Sequence, residues 1–326
     1  DIPLIDFSLY ETDQTKVAQL LLDACQTIGF FYVINHGIPA ADVDHTFNLS
    51  KEFFDLPLDI KTSISIDESN RGYTGLYRQK LDPEHQLIGD YKEALNLGNF
   101  GNGEVPCALP DCFKKHKPDL KSFAEQCHGL AEKIMKAFAI GLEIPEEFGG
   151  STFFTQRHKY DSKSGETFRL LKYPRRCVQN EEELIGAGRH TDYGTITLLF
   201  QKDVGGLQVA PRGNQDEHDH HHQEWIDAPL IKDAILVNIG DLLQLWTGGL
   251  FKSTMHRVTF CPDHRLLDRY SIAYFFQPED DTLIERLPSS KVPGDADATD
   301  DDDVYKVDGK VLTSSQHLRR RLQAAY

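Results

Sequence analysis

Apolar residues recur at two different spacings along the chain. Val17, Leu20, Leu21, Ala24 and Ile28 trace one helical face, and Leu130, Ile134, Ala137 and Gly141 trace another. Between them, Gly29-Phe30-Phe31-Tyr32-Val33-Ile34 is β-branched and aromatic and reads as a strand, while about Ile64 to Pro118 reads as irregular and rich in turn residues. From Phe168 onward the pattern becomes a succession of short strands: Phe168–Tyr173, Thr195–Phe200, Leu207–Ala210, Ala234–Ile239, Leu242–Trp246, Met255–Phe260 and Tyr270–Phe276. The expected organisation is a mainly helical region over 1–150, with a few strands, packed on a strand-rich region over 151–326. The tail after Val311 returns to a helical pattern with Arg319, Arg320 and Arg321, expected on the outside. Many short strands with few helices between them imply a sandwich or barrel, not a parallel α/β sheet.

Composition narrows the function. The 326 residues carry a formal net charge of −16, which repels phosphate backbones and argues against general nucleic-acid binding. Part of that charge is local, in the aspartate-rich run Asp295–Asp303. No apolar run approaches the ~18 residues of a membrane span. No secretory signal is visible at Asp1–Asp6, and six cysteines lack Cys-x-x-Cys spacing, so a reducing, cytoplasmic setting is expected. Gly98-Asn99-Phe100-Gly101-Asn102-Gly103 lacks the Lys-Ser/Thr of a phosphate loop, and no Gly-x-Ser-x-Gly elbow appears.

Three side chains form a candidate metal centre. On an extended strand, His190 and Asp192 would share a face, and His256 lies on a later β-like run. Two histidines and a carboxylate leave one side of an ion open, as a non-haem Fe(II) oxygenase requires, although zinc hydrolases use similar sets. His-x-Asp alone is common by chance. Arg269-Tyr270-Ser271 repeats the i, i+2 logic thirteen residues after His256, setting a guanidinium fork and a hydroxyl where an organic acid could be held.

In this order the motifs resemble the isopenicillin N synthase-like family of 2-oxoglutarate/Fe(II)-dependent dioxygenases. The resemblance runs nearly end to end, through Ile2–Asp6, Gly29–Ile38, Phe53–Pro57, Arg71-Gly72-Tyr73 and Lys92-Glu93. It continues through His190–Gly194, Gly205–Val209, Asn238–Asp241, His256-Arg257-Val258 and Arg269–Phe275. It implies a distorted double-stranded β-helix, or jelly-roll core, with flanking helices. It also implies Fe(II) on His190, Asp192 and His256, and 2-oxoglutarate held by Arg269 and Ser271, with Tyr173 reaching the same co-substrate. The implied reaction uses O2 to oxidise a small organic molecule, hydroxylation being the default, with release of succinate and CO2. Two alternatives stay open: an oxidase of this fold that dispenses with 2-oxoglutarate, and a non-catalytic ligand-binding protein on the scaffold.

Strand periodicity extends the site. Arg169 and Leu171 share a face with Tyr173, and Ala273 and Phe275 share one with Arg269 and Ser271. Arg169 and Phe275 are therefore expected at the prime substrate, unless Phe275 is core and Arg169 pairs with a carboxylate such as Glu93. Arg71 adds a nearby cation, and residues 64–102 and the tail are expected to set selectivity. The stretch between Asp192 and His256 is longer than the resemblance leads one to expect. The excess, Arg212–Gln223, includes the His-rich 218–222, read as a solvated loop in preference to a second metal site.

Overall fold

The computed structural model describes the chain except for residues 102–108, 176–184, 211–223, 261–265, 294–304, 308–309 and 326. The His-rich stretch, the aspartate run, Cys107, Cys177 and Cys261 lie outside the described residues.

Among the described residues, twelve strands build two sheets, and Lys306–Val307 pairs with Lys310–Val311 in a separate two-stranded ribbon. The twelve are β1 (Leu4–Asp6), β2 (Phe30–Ile34), β3 (Gly72–Thr74), β4 (Glu93–Gly98), β5 (Thr167–Tyr173) and β6 (Ala187–His190), then β7 (Ile196–Lys202), β8 (Leu207–Ala210), β9 (Ile226–Asp227), β10 (Ile235–Ile239), β11 (Met255–Val258) and β12 (Arg269–Phe276). The larger sheet runs β1-β2-β10-β7-β12-β5-β4-β3 and the smaller β6-β11-β8-β9. The helices are α1 (Gln14–Thr27), α2 (Ala40–Phe54), α3 (Leu58–Thr62), α4 (Lys117–Gly141), α5 (Asp241–Trp246) and α6 (Ser314–Ala325). Among the described residues, no helix is long and apolar enough to cross a membrane.

Alternation along the central strands divides the interior in two. Phe168 and Leu170 of β5, Ile196, Leu198 and Phe200 of β7, and Ile272, Tyr274 and Phe276 of β12 pack with α1 and α4 in the larger core. The residues between them point the other way. Leu171, Tyr173 and Ala273 join Phe30, Tyr32 and Leu236 of the large sheet and Ala187, Leu207, Val209 and Val258 of the small one in a second core between the sheets. This is a jelly-roll arrangement, with the second core on the side where the candidate residues lie.

Several expectations need correction. Leu242–Trp246 is not a strand but α5, because Leu242, Leu243 and Trp246 bury one helical face. The extended Gly240 precedes it, and Gly248 and Gly249, both at positive φ, follow it. The stretch taken as irregular contributes β3 and β4 to the large sheet; all six residues of β4 are buried. Helix α2 was also not anticipated, and the strand expected to carry both His190 and Asp192 ends at His190 as β6.

A buried charged cluster joins α4 to the start of β5. His128 Nδ1 lies 2.9 Å from Glu166 and its Nε2 3.7 Å from Glu132. Burial acts to lower the His128 pKa, but the two carboxylates prevail and raise it from 6.5 to about 9. A folded-state pKa above the unfolded one stabilises fully below pH 6.5 and loses that contribution as pH rises through about 9. The urea midpoint is therefore expected to fall across that interval. His128→Gln should flatten the fall, and a slope unchanged in that variant would refute the assignment.

Candidate active site

Antiparallel pairing of β6 with β11 sets His190 directly opposite His256. Their ring centroids are 4.3 Å apart. A carbonyl can only accept, so each Nδ1 carries the proton: His190 donates to Gly188 O at 2.8 Å and His256 to Thr254 O at 3.1 Å. Both Nε2 lone pairs are thereby free for an ion. Burial, with His256 close by, pushes His190 down to about 3, so its imidazole is neutral at ordinary pH.

Asp192 completes the set by a route different from the one expected. The strand ends at His190, so the two ligands do not share a strand face. Asp192 is instead held from the large sheet. Thr197 Oγ1 and Asn238 Nδ2, on residues paired across β7 and β10, donate to its Oδ2 at 2.6 and 2.8 Å. Its Oδ1 then faces His190 Nε2 at 3.9 Å and His256 Nε2 at 3.8 Å. Burial opposes ionisation, but the two histidines and these hydrogen bonds hold the Asp192 pKa below its ordinary value. The three ligand atoms lie within 4.8 Å of one another, and among the described residues this is the group of His, Cys, Asp or Glu side chains that could hold a metal. Two imidazole nitrogens and one carboxylate oxygen suit a divalent transition metal.

Arg269 and Tyr173 are cross-strand partners, as are Ser271 and Leu171. Arg269 is 4% exposed, yet its hydrogen-bond partners are neutral: Ser271 Oγ at 3.3 Å and Gln201 Oε1 at 2.9 Å. Its Nε has no partner, and its guanidinium lies 4.8 Å from the Tyr173 ring centroid. A buried cation left with neutral partners is costly unless an anion joins it, so the cradle fits an organic carboxylate.

Arg169 and Phe275 lie on the wall of a cavity of about 550 Å³, counted with its open mouth, which His190 and Asp192 also line. The Arg169 guanidinium covers the Phe275 ring at 4.8 Å, and its Nε donates to Asn96 Oδ1 at 2.7 Å. The pairing with Glu93 is not found, because Glu93 receives Lys61 Nζ at 2.7 Å and the Tyr73 hydroxyl. Arg71 is also committed elsewhere, to Thr167 Oγ1 and the Glu166 carbonyl, both at 2.8 Å. Asn96 was missed; it donates in turn to Asn70, which also lines the cavity. Alternation along β4 would have found it once that stretch was read as a strand. The tail is not wholly external either, since Leu318 and Leu322 of α6 face the cavity.

The profile of the 2OG-Fe(II) oxygenase superfamily matches residues 164–278, and that of the N-terminal region of non-haem dioxygenases in morphine synthesis matches 2–118. The 2-oxoglutarate-Fe(II) type oxidoreductase hxnY of Emericella nidulans is 31% identical over 88% of this chain and 82% of its own. The chain belongs to the 2OG-Fe(II) oxygenases. Another relative, UPF0676 protein C1494.01 of Schizosaccharomyces pombe, is 38% identical over 90% of this chain and 87% of its own. Among solved structures, a full-length Neurospora crassa protein in complex with alpha-KG (2-oxoglutarate) and thymine has a TM-score of 0.80 and 31% identity, covering 99% of this chain and 96% of that one. This oxygenase therefore has the double-stranded β-helix fold, and it is a 2-oxoglutarate-dependent dioxygenase using Fe(II) and O2.

Replacing Asn238 by Leu should leave Asp192 Oδ2 short of a donor. Fe(II) affinity is expected to drop about 10- to 100-fold, the usual effect of losing a group that orients a ligand. Metal titration by calorimetry checks this, and an unchanged affinity would show that Thr197 suffices.

Proposed function

We propose that the chain hydroxylates a flat, neutral small molecule bearing a hydrogen-bond acceptor, with a nucleobase-like heterocycle as the leading class. In this reading His190, Asp192 and His256 hold iron, and Arg269 and Ser271 hold the far carboxylate of 2-oxoglutarate. The Tyr173 hydroxyl reaches the same co-substrate. Bound Fe(II) and 2-oxoglutarate supply O2 activation, with succinate and CO2 released. The apolar side chains Leu171 and Ala273, on the same face as this cradle, keep water away from it. Arg169 donates to the prime substrate while Phe275 offers a flat wall, and Asn96 fixes the guanidinium plane.

The observation that carries the reading is the buried Arg269, uncompensated by any anion among its hydrogen-bond partners, on the face of β12 that it shares with Phe275. The thymine held by the Neurospora crassa protein supports the choice of heterocycle. A cytosolic setting is part of the same proposal, supported by the free thiols of Cys25, Cys112 and Cys127.

The test is succinate release that requires Fe(II) and 2-oxoglutarate, with thymine as the first probe. Arg269→Leu should raise the KM for 2-oxoglutarate about 10- to 100-fold, the scale of a lost hydrogen-bonded charge, with the thymine KM little changed. Arg169→Ala and Phe275→Ala should do the reverse. Unchanged KM and kcat in both of the latter would remove them from the substrate site.

A further inference from the structure

Helix α6 lines one side of the cavity, and the charged contact that fastens it there comes from an arginine. Its start is fixed locally. Thr313 and Gln316 form a reciprocal cap, Gln316 N donating to Thr313 Oγ1 at 3.3 Å and Thr313 N to Gln316 Oε1 at 2.9 Å. Beyond that cap the helix presents two adjacent rows, as i, i+4 spacing requires. Leu318 and Leu322 face the cavity. His317 and Arg321 reach the loop that carries Asp192: His317 Nε2 meets the Tyr193 carbonyl at 3.2 Å, and Arg321 covers the Tyr193 ring at 5.2 Å. Arg319 and Arg320 are exposed.

The contacts of Arg321 converge on one carboxylate. Its Nη2 lies 2.7 Å from Asp241 Oδ2 and donates to Thr191 Oγ1 at 3.2 Å. Thr191 Oγ1 donates to the same Asp241 oxygen at 3.0 Å, and Ser253 Oγ supplies the other at 2.6 Å. Asp241 N donates to the Asp192 carbonyl at 2.7 Å. An isolated surface ion pair stabilises little. This one ends on a carboxylate already pinned by two hydroxyls at the start of α5. Packing is also close, because a Cβ on Gly165 would lie 2.2 Å from Leu318 Cδ2.

We propose that Arg321 is a positioning residue that clamps α6 to Asp241 and Thr191, and so makes Leu318 and Leu322 the apolar wall that determines which substrates fit. The wall rests on the active-site reading above; the clamp does not. Releasing it leaves the iron ligands and the 2-oxoglutarate cradle in place and frees one side of the cavity. The substrate is then held loosely, and 2-oxoglutarate is converted to succinate and CO2 without oxidising it, the second oxygen atom leaving as water with two protons and two electrons from an added reductant such as ascorbate.

Amide hydrogen exchange of the iron-free, full-length protein tests the clamp without any substrate. In Arg321→Ala the amides of α6 should exchange about tenfold faster, the scale of one lost charge-assisted hydrogen bond, while those of β10 keep wild-type protection. Arg321→Lys, which keeps the charge but not the fork, should fall between the two. Wild-type exchange of α6 in Arg321→Ala overturns the clamp, and so does loosening that extends equally to β10. The wall is read from product formation, with thymine as probe. Succinate should exceed oxidised product in Arg321→Ala and in Leu322→Ala, with the KM for 2-oxoglutarate unchanged. Equimolar succinate and product in both variants overturns the wall. If the wild-type protein does not turn over thymine, the substrate class proposed above fails, and hydrogen exchange still decides the clamp.

Discussion

A carboxylate buried as deeply as that of Asp192 survives only if each of its oxygens is compensated, and the way this is done organises the rest of the molecule. One oxygen is satisfied by Thr197 and Asn238, which face each other across the middle of the large sheet. The other is left for the two imidazoles, which come from paired strands of the small sheet. The centre therefore spans both sheets. It forms only when the second core holds them in register, so the packing of Leu171, Val209, Leu236 and Val258 is as much a condition of the site as the ligands are. The Asp241–Asp192 backbone bond adds α5 to the same assembly.

The inward face of β5 and β12 was legible because alternation is a property of any strand, and a two-residue period has no second solution once both flanks are turns. Arg169 could be grouped with Tyr173 on that ground, and Arg269 with Ser271 and Phe275; that both sets line one site rested on the family resemblance. The apolar run at Leu242–Trp246 was not legible in the same way. Five residues are too few to separate a buried strand from a helical turn, and what decides is the pair of left-handed glycines after it. Strand β4 was obscured for the opposite reason. It is buried on both faces, but Glu93 and Asn96 interrupt the apolar pattern, and their partners Lys61, Tyr73 and Arg169 are remote in the chain. A buried polar residue cannot be recognised as satisfied before its partner is known.

The i, i+2 spacing of His190 and Asp192 led to the right neighbours by an incomplete argument. A shared strand face would put both side chains at one point, but β6 has ended by then. What brings Asp192 back is the pair of donors on β7 and β10, which no local pattern announces. The same holds for the tail. Its charged arginines suggested an external helix, and two of them are exposed. The third is spent on Asp241, and the leucines on either side of them, Leu318 and Leu322, turn inward.

Three arginines withdrawn from solvent show why the type of a residue says less than what its partners leave unspent. Arg71 places both terminal nitrogens on Thr167 and a backbone carbonyl, which ties β5 to the segment before β3. Arg169 gives its Nε to Asn96 and one face to Phe275, an arrangement that aims the guanidinium edge without neutralising it. Arg269 is the deepest in consequence, since burial lowers its pKa and its hydrogen-bond partners carry no charge. A full negative charge gains most at Arg269, where desolvation has already been imposed by the fold. At the half-buried Arg169 the same charge would face competition from water, so a neutral acceptor lying flat on Phe275 is the better match there. On these grounds the proposed division of work between the two ends of one strand face sets the acid at the Arg269 end and the molecule to be oxidised at the Phe275 end.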